Sequence, residues 1–134
     1  MAGITKLKQL ISEMEPVLND GKYVFASVSD VKAIPRDKTL CEIKEREGVT
    51  VVMTQADADD FNITYQYVAA WITLNIHSAL HAVGLTAAFS TALTDASISC
   101  NVIAGFYHDH IFIDYKDKDK AMNTLIELTR KYRS

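Results

Sequence analysis

The stretch from Val68 to Val102 limits the possible folds more than any other. In VAAWITLNIH, Ile72, Leu74 and Ile76 alternate with Trp71, Thr73 and Asn75. This period of two predicts a strand with one core face and one semi-polar face. Gly84 then opens a helical pattern of Leu85, Ala88, Phe89, Ala92, Leu93 and Ala96, with Thr86, Ser90 and Thr94 on the polar side. ISCNVIAGFY reads as a second strand, and HIFIDY as a third after a turn near His108-Asp109. DKDKAMNTLIELTRKY closes the chain as a helix presenting Met122, Leu125, Ile126, Thr129 and Tyr132. The order strand, helix, strand, strand, helix predicts an antiparallel sheet with two helices on one face, a ferredoxin-like α+β layer.

The first half is less regular. ITKLKQLISEM gathers Ile4, Leu7, Leu10, Ile11 and Met14 on one helical side, and Pro16 is expected to end that helix. Asn19-Asp20-Gly21 reads as a turn, and Tyr23 to Ser29 as a strand. CEIKERE and GVTVVMT, divided at Gly48, predict a hairpin or two neighbouring strands, and QADADDFNI a short acidic helix. The expected division is an atypical α/β half over 1–66 and a regular one over 67–134.

Size and charge narrow the function. A chain of 134 residues is one domain, or two half-sized ones sharing a core. Apolar residues at 49% and charged residues at 23% suit a soluble globular protein. A net charge of -3 with interspersed signs argues against nucleic-acid binding, which needs a basic stripe. The apolar runs are too short to span a membrane, and the N-terminus reads as part of the fold. Cys41 and Cys100 lie far apart without metal spacing, which points to the reducing cytoplasm.

Few side chains offer chemistry. His108 and His110 are two apart, and His77 and His81 flank the loop before the Gly84 helix, but zinc needs three or four ligands. Cys100 sits in an apolar strand, where cysteine is ordinarily a small core residue. Asp57, Asp59 and Asp60 lack the spacing and glycine of a calcium loop. Asn62-Ile63-Thr64 is a glycosylation sequon by letters only. The chain has no glycine-rich phosphate loop and no dinucleotide fingerprint. We therefore expect no catalytic residue, no metal and no cofactor.

What the Gly84 turn does offer is backbone. The first amides of the helix, at Gly84, Leu85 and Thr86, have no partners within it, and the dipole is positive there, which suits a carboxylate. HAVGLTAAFSTALTDASISCNV resembles the core of the ACT domain, a small ligand-binding module of amino-acid metabolism. Val83-Gly84-Leu85 stands at that family's step from strand to helix, and Ser97-Ile98-Ser99 at the entry to its next strand. The family's proline is Val83 here, and Ser97 and Ser99 replace its entry glycine and asparagine. The likeness extends from Tyr23 to Ile113 and covers small bacterial ACT proteins and the halves of the cytosolic arginine sensors of animal cells. Ile98-Ser99-Cys100 and Phe106 to His110 are its most specific parts.

The resemblance implies a ligand held between two ACT units. One would contribute Val83, Gly84, Leu85 and Thr86, together with Phe106 and Asp109 of the turn. The other would contribute Ser99, Cys100 and Asn101. With only one regular unit in the chain, both sets require two copies, so the expectation is a cytoplasmic, non-enzymatic homodimer with an amino acid at its interface. The acid that precedes the glycine in the arginine sensors is Ala82 here, so a neutral or small amino acid also fits. Plainer roles stand beside these: Gly84 as a packing glycine, Asp109 as a turn former, and Ser99 and Asn101 as strand-edge groups. The alternative function is a structural or protein-interaction module with a vestigial pocket.

Overall fold

The computed structural model describes residues 2–76 and 83–133. The elements in chain order are α1 (Ala2–Glu13), β1 (Glu15–Val28), β2 (Cys41–Lys44), β3 (Val49–Thr54), α2 (Gln55–Asp60), β4 (Val68–Asn75), α3 (Leu85–Asp95), β5 (Asn101–Ala104), β6 (Asp109–Asp114) and α4 (Lys118–Lys131). They form two compact units: residues 1–19 with 71–134, and residues 20–70. The N-terminal helix thus belongs with the C-terminal elements, while β1 runs through both units.

In the larger unit the strands lie in the order β1-β4-β6-β5, and β5 pairs antiparallel with β6, Asn101 opposite Phe112 and Ala104 opposite Asp109. The alternation expected in β4 is present: Ile72, Leu74 and the following Ile76 are buried, Trp71 and Thr73 are half-buried, and Asn75 is exposed. α3 buries Leu85, Phe89 and Leu93, and α4 buries Ala121, Leu125 and Thr129. Three helices share this layer rather than the expected two, because α1 packs on both α3 and α4 and buries Ile11.

The smaller unit pairs β2 with β3 and β3 with β1, all antiparallel, with Cys41 opposite Val52 and Tyr23 opposite Thr54. The expected hairpin at Gly48 is closed by Glu45 N–H donating to Gly48 C=O at 2.9 Å. Val24, Ala26, Ile34, Val51, Met53 and Ala58 form its core. Thr54 caps α2 by accepting from Asp57 N–H at 3.1 Å.

Three local expectations are corrected. Asn19-Asp20-Gly21 is not a turn but lies inside β1, where Gly21 takes φ +100° within a continuing strand. α1 ends before Pro16, which is a β1 residue. The strand expected from Ile98 begins only at Asn101.

Candidate functional site

Gly84 takes φ 95° and ψ -17°, and it starts α3 without a side-chain cap. The left-handed backbone favours glycine. A Cβ built there would lie 2.9 Å from Leu7 Cδ2, so a side chain at this position would also require Leu7 to shift. Gly84 thus has a local backbone role, whatever else the turn binds. Of its neighbours, Val83 is 88% exposed, Leu85 is buried in the core, and Thr86 is exposed.

Ser99, Cys100 and Asn101 follow the other end of α3. With 11 residues at about 1.5 Å each, that helix separates them from Gly84 by roughly 16 Å. A single copy does not bring the two sets together. The C-terminus of α3 is closed by Ile98 N–H donating to Leu93 C=O and Ser97 N–H to Thr94 C=O, both at 2.9 Å. This is a Schellman motif, with the left-handed position occupied by Ser97 at φ 62° and the apolar Ile98 buried behind it. The glycine that Ser97 replaces in the ACT pattern is thereby explained by helix termination.

Ser99 is exposed. The Cys100 thiol is pushed up to about 11 by burial, which holds it protonated at neutral pH and poor as a nucleophile. Asn101 Nδ2 donates to Phe112 C=O at 3.2 Å, so this side chain serves the β5–β6 ladder.

The turn expected near His108-Asp109 spans 105–108, closed by Gly105 N–H donating to His108 C=O at 2.9 Å. A Cβ on Gly105 would stand 2.9 Å from that oxygen and 3.1 Å from His110 Nε2. Phe106 and Tyr107 project from it, 78% and 68% exposed, as an edge-to-face pair 5.0 Å apart. Asp109 is not in the turn but begins β6, half-buried, and burial raises its carboxyl while His110 lowers it.

Of the four histidines, only two lie among the described residues. His108 belongs to the turn and His110 to β6, while His77 and His81 lie outside the described residues. No group of three potential metal ligands occurs among the described residues.

A polar cluster escaped sequence reasoning. Trp71 Nε1–H donates to His110 Nδ1 at 3.1 Å, Thr73 Oγ1 lies 3.1 Å from the same nitrogen, and Asn19 Nδ2 donates to Thr73 Oγ1 at 3.0 Å and to Trp71 C=O at 3.2 Å. Trp71 also stacks on Phe112 at 6.1 Å. The semi-polar face of β4 was legible from its alternation, but the partners on β1 and β6 were not.

The two units thus define a small α+β protein with ferredoxin-like strand order in its larger part. Comparison with known families agrees: an ACT domain matches residues 2–70 and a second ACT domain matches residues 66–127. The chain belongs to the ACT-domain family. A protein of unknown function from Vibrio cholerae, named a possible transport protein, is 38% identical, with 95% of this chain and 98% of that one covered and a TM-score of 0.85. A protein from Agrobacterium tumefaciens has 16% identity, coverage of 87% and 89%, and a TM-score of 0.67. The regulatory subunit of aspartate kinase from Thermus thermophilus, in its ligand-free form, has 8% identity, coverage of 84% and 95%, and a TM-score of 0.58. The last two show a shared fold alone. No functionally curated protein matches the sequence. Neither family match is to a catalytic family, and among the described residues no helix is long and apolar enough to cross a membrane.

Proposed function

We propose that this is a cytoplasmic, non-enzymatic regulatory protein that binds an amino acid between two copies of itself. The observation that carries this is the start of α3, which has no side-chain cap. Its first amides, which lie beyond the reach of intrahelical partners, and its positive dipole suit a carboxylate. Val83, Gly84, Leu85 and Thr86 of one copy would hold that group, with Phe106 and Asp109 beside them. Ser99, Cys100 and Asn101 of the second copy would complete the site, because α3 keeps the two sets about 16 Å apart within one chain. An isologous dimer gives two such pockets. A ligand touching both copies binds the assembled state more tightly than the separated one, and so shifts assembly by mass action.

A thermal-shift screen against the twenty amino acids tests the ligand class. A rise in Tm with one or a few of them at millimolar concentration is expected. A flat response to all twenty would remove the amino-acid reading.

One observation favours the second reading, a protein-interaction module with a vestigial pocket. Leu7 fills the space against Gly84 that a close ligand would approach. On that reading the exposed Phe106 and Tyr107 dock a protein partner, and no amino acid shifts the melting temperature.

A further inference from the structure

Side chains from three strands of the larger unit converge on one imidazole nitrogen. His110 Nδ1 on β6 lies 3.1 Å from both Trp71 Nε1 and Thr73 Oγ1 of β4, and Asn19 of β1 holds Thr73 Oγ1 in turn. We propose that His110 is a proton-operated partner switch. Neutral, its Nδ1 accepts from Trp71; protonated, it donates to Thr73, releases the indole and shifts the turn at 105–108.

The two neighbours of Nδ1 differ in what they can do. An indole N–H only donates, so it is satisfied only by an unprotonated Nδ1. A hydroxyl has one proton and two lone pairs, so Thr73 can face either form of the ring. Asn19 sets how. Its Nδ2 also donates to Trp71 C=O at 3.2 Å, and a carbonyl only accepts, which fixes the orientation of the amide. Nδ2 therefore fills one lone pair of Thr73 at 3.0 Å and leaves the second for a proton on Nδ1. Each protonation state of the ring thus has its own partner already in place.

The ring is also in contact with the turn. A Cβ on Gly105 would stand 3.1 Å from His110 Nε2 and 3.3 Å from its Cδ2, so the imidazole edge lies on that backbone. The indole is held by its stack on Phe112, with ring planes 14° apart. It is therefore the imidazole that turns between partners, and its far edge carries the movement to Gly105. Phe106 and Tyr107 follow directly, both exposed.

The charges around the ring are few. β4 faces it with Trp71 and Thr73, β5 with Ile103 opposite, and β1 with Asn19 through Thr73, none of them ionisable at these pH values. Among the described residues the titratable groups acting on it are His108, which disfavours its charge, and Asp109, which favours it. Burial disfavours the charge most, so the exchange falls below the ordinary 6.5.

The test follows the His110 ring, the single indole N–H and the Phe106 and Tyr107 amides by NMR as the full chain is titrated from about pH 8 to about pH 4. All should move with the midpoint of the ring. In His110→Asn, which keeps His108, the amides should lose that transition. Trp71→Phe removes the donor that the neutral ring accepts and should raise the His110 midpoint. Thr73→Val removes the acceptor that the charged ring needs and should lower it. Each shift should be about half to one pH unit, roughly a threefold to tenfold change in proton affinity. Burial alone gives no such opposed pair. Thr73→Val keeps the side-chain shape at a half-buried position, so it decides the case by itself if Trp71→Phe fails to fold. A midpoint that does not fall in Thr73→Val, one that does not rise in folded Trp71→Phe, or amide transitions that persist in His110→Asn would overturn the switch. No amino acid enters the test, so its outcome is independent of the ligand reading.

Discussion

The indole N–H of Trp71 on β4 points at Nδ1 of His110 on β6, 3.1 Å away. An indole only donates, so Nδ1 must carry the lone pair and the neutral ring keeps its proton on Nε2. Burial lowers the His110 pKa first, the neighbouring His108 lowers it further, and Asp109 opposes them. The sign follows from linkage. The unfolded chain takes up its proton near 6.5, before the folded one does, so stability is complete above that value and falls as pH drops below it. The raised Asp109 works in the opposite sense, in a lower window starting from its ordinary 3.8. His110→Asn keeps an acceptor for Trp71 and removes the titration. We expect denaturation midpoints of the variant to lose the slope that the parent protein shows as pH drops below 6.5. An identical slope in both would assign it to other groups.

Ser97 holds a left-handed conformation at φ 62° in the Schellman turn after α3. A residue with a Cβ pays about 1 kcal/mol there that glycine does not. Ser97→Gly should therefore raise stability by up to about 1 kcal/mol in urea titration, less the extra freedom glycine has when unfolded. A destabilised variant would mean that the Ser97 side chain is needed.

Gly84 and Leu7 are predicted to be coupled. Gly84→Ala places a methyl 2.9 Å from Leu7 Cδ2 at a positive φ, and it should cost about 2 kcal/mol or more. Leu7→Ala opens the space but leaves the backbone strain. The double variant should thus be more stable than the sum of the two single changes implies, by about 0.5–1 kcal/mol in a double-mutant cycle. Strict additivity would place Leu7 elsewhere. Gly84→Asp, which would put a negative charge directly at the helix start, is for the same reason confounded by damage to the fold.

Thr86→Asp is the better probe. The side chain is exposed on the first turn of α3, where an acid stabilises the helix yet repels a bound carboxylate. Amino-acid response should vanish while Tm holds or rises. Ser99→Ala and Asp109→Asn should each weaken the response by about 0.5–1.5 kcal/mol. Full ligand response in Thr86→Asp would move the site away from the helix start.

Cys100, with its thiol raised to about 11, should react slowly with a disulfide reagent at pH 8 in a Cys41→Ser background, and quickly once urea unfolds the chain. Fast labelling of the folded protein would show that Cys100 is a thiolate in contact with solvent.

The periodic parts of the fold were legible because one physical pattern dominated each. Alternation in β4, the helical spacing after Gly84 and the hairpin break at Gly48 all correspond to elements. The misplacements occur where local signals were outweighed by context. Asn19-Asp20-Gly21 has turn letters, but its strand continues through a single left-handed glycine. Ile98 to Cys100 have strand letters, but Ser97 and Ile98 close α3 and the strand starts only at Asn101. That Gly84 begins a helix was legible from its turn chemistry, and the structure adds that Leu7 of α1 sits against it. The cluster around Trp71 and Thr73 had no full sequence signature, since Asn19 and His110 are brought to β4 from distant segments by the fold.

Complementation between damaged copies tests the central claim most directly. Thr86→Asp impairs one half of the proposed pocket, and Ser99→Tyr, with bulk on an exposed position, impairs the other. Neither variant alone should bind the amino acid identified by the thermal-shift screen. Unfolding and refolding them together in equal amounts should restore about a quarter of the parent binding capacity by calorimetry, because half the dimers are mixed and each has one intact pocket. No recovery in a mixture shown to contain mixed dimers, or full binding by either variant alone, would contradict a site shared between two copies.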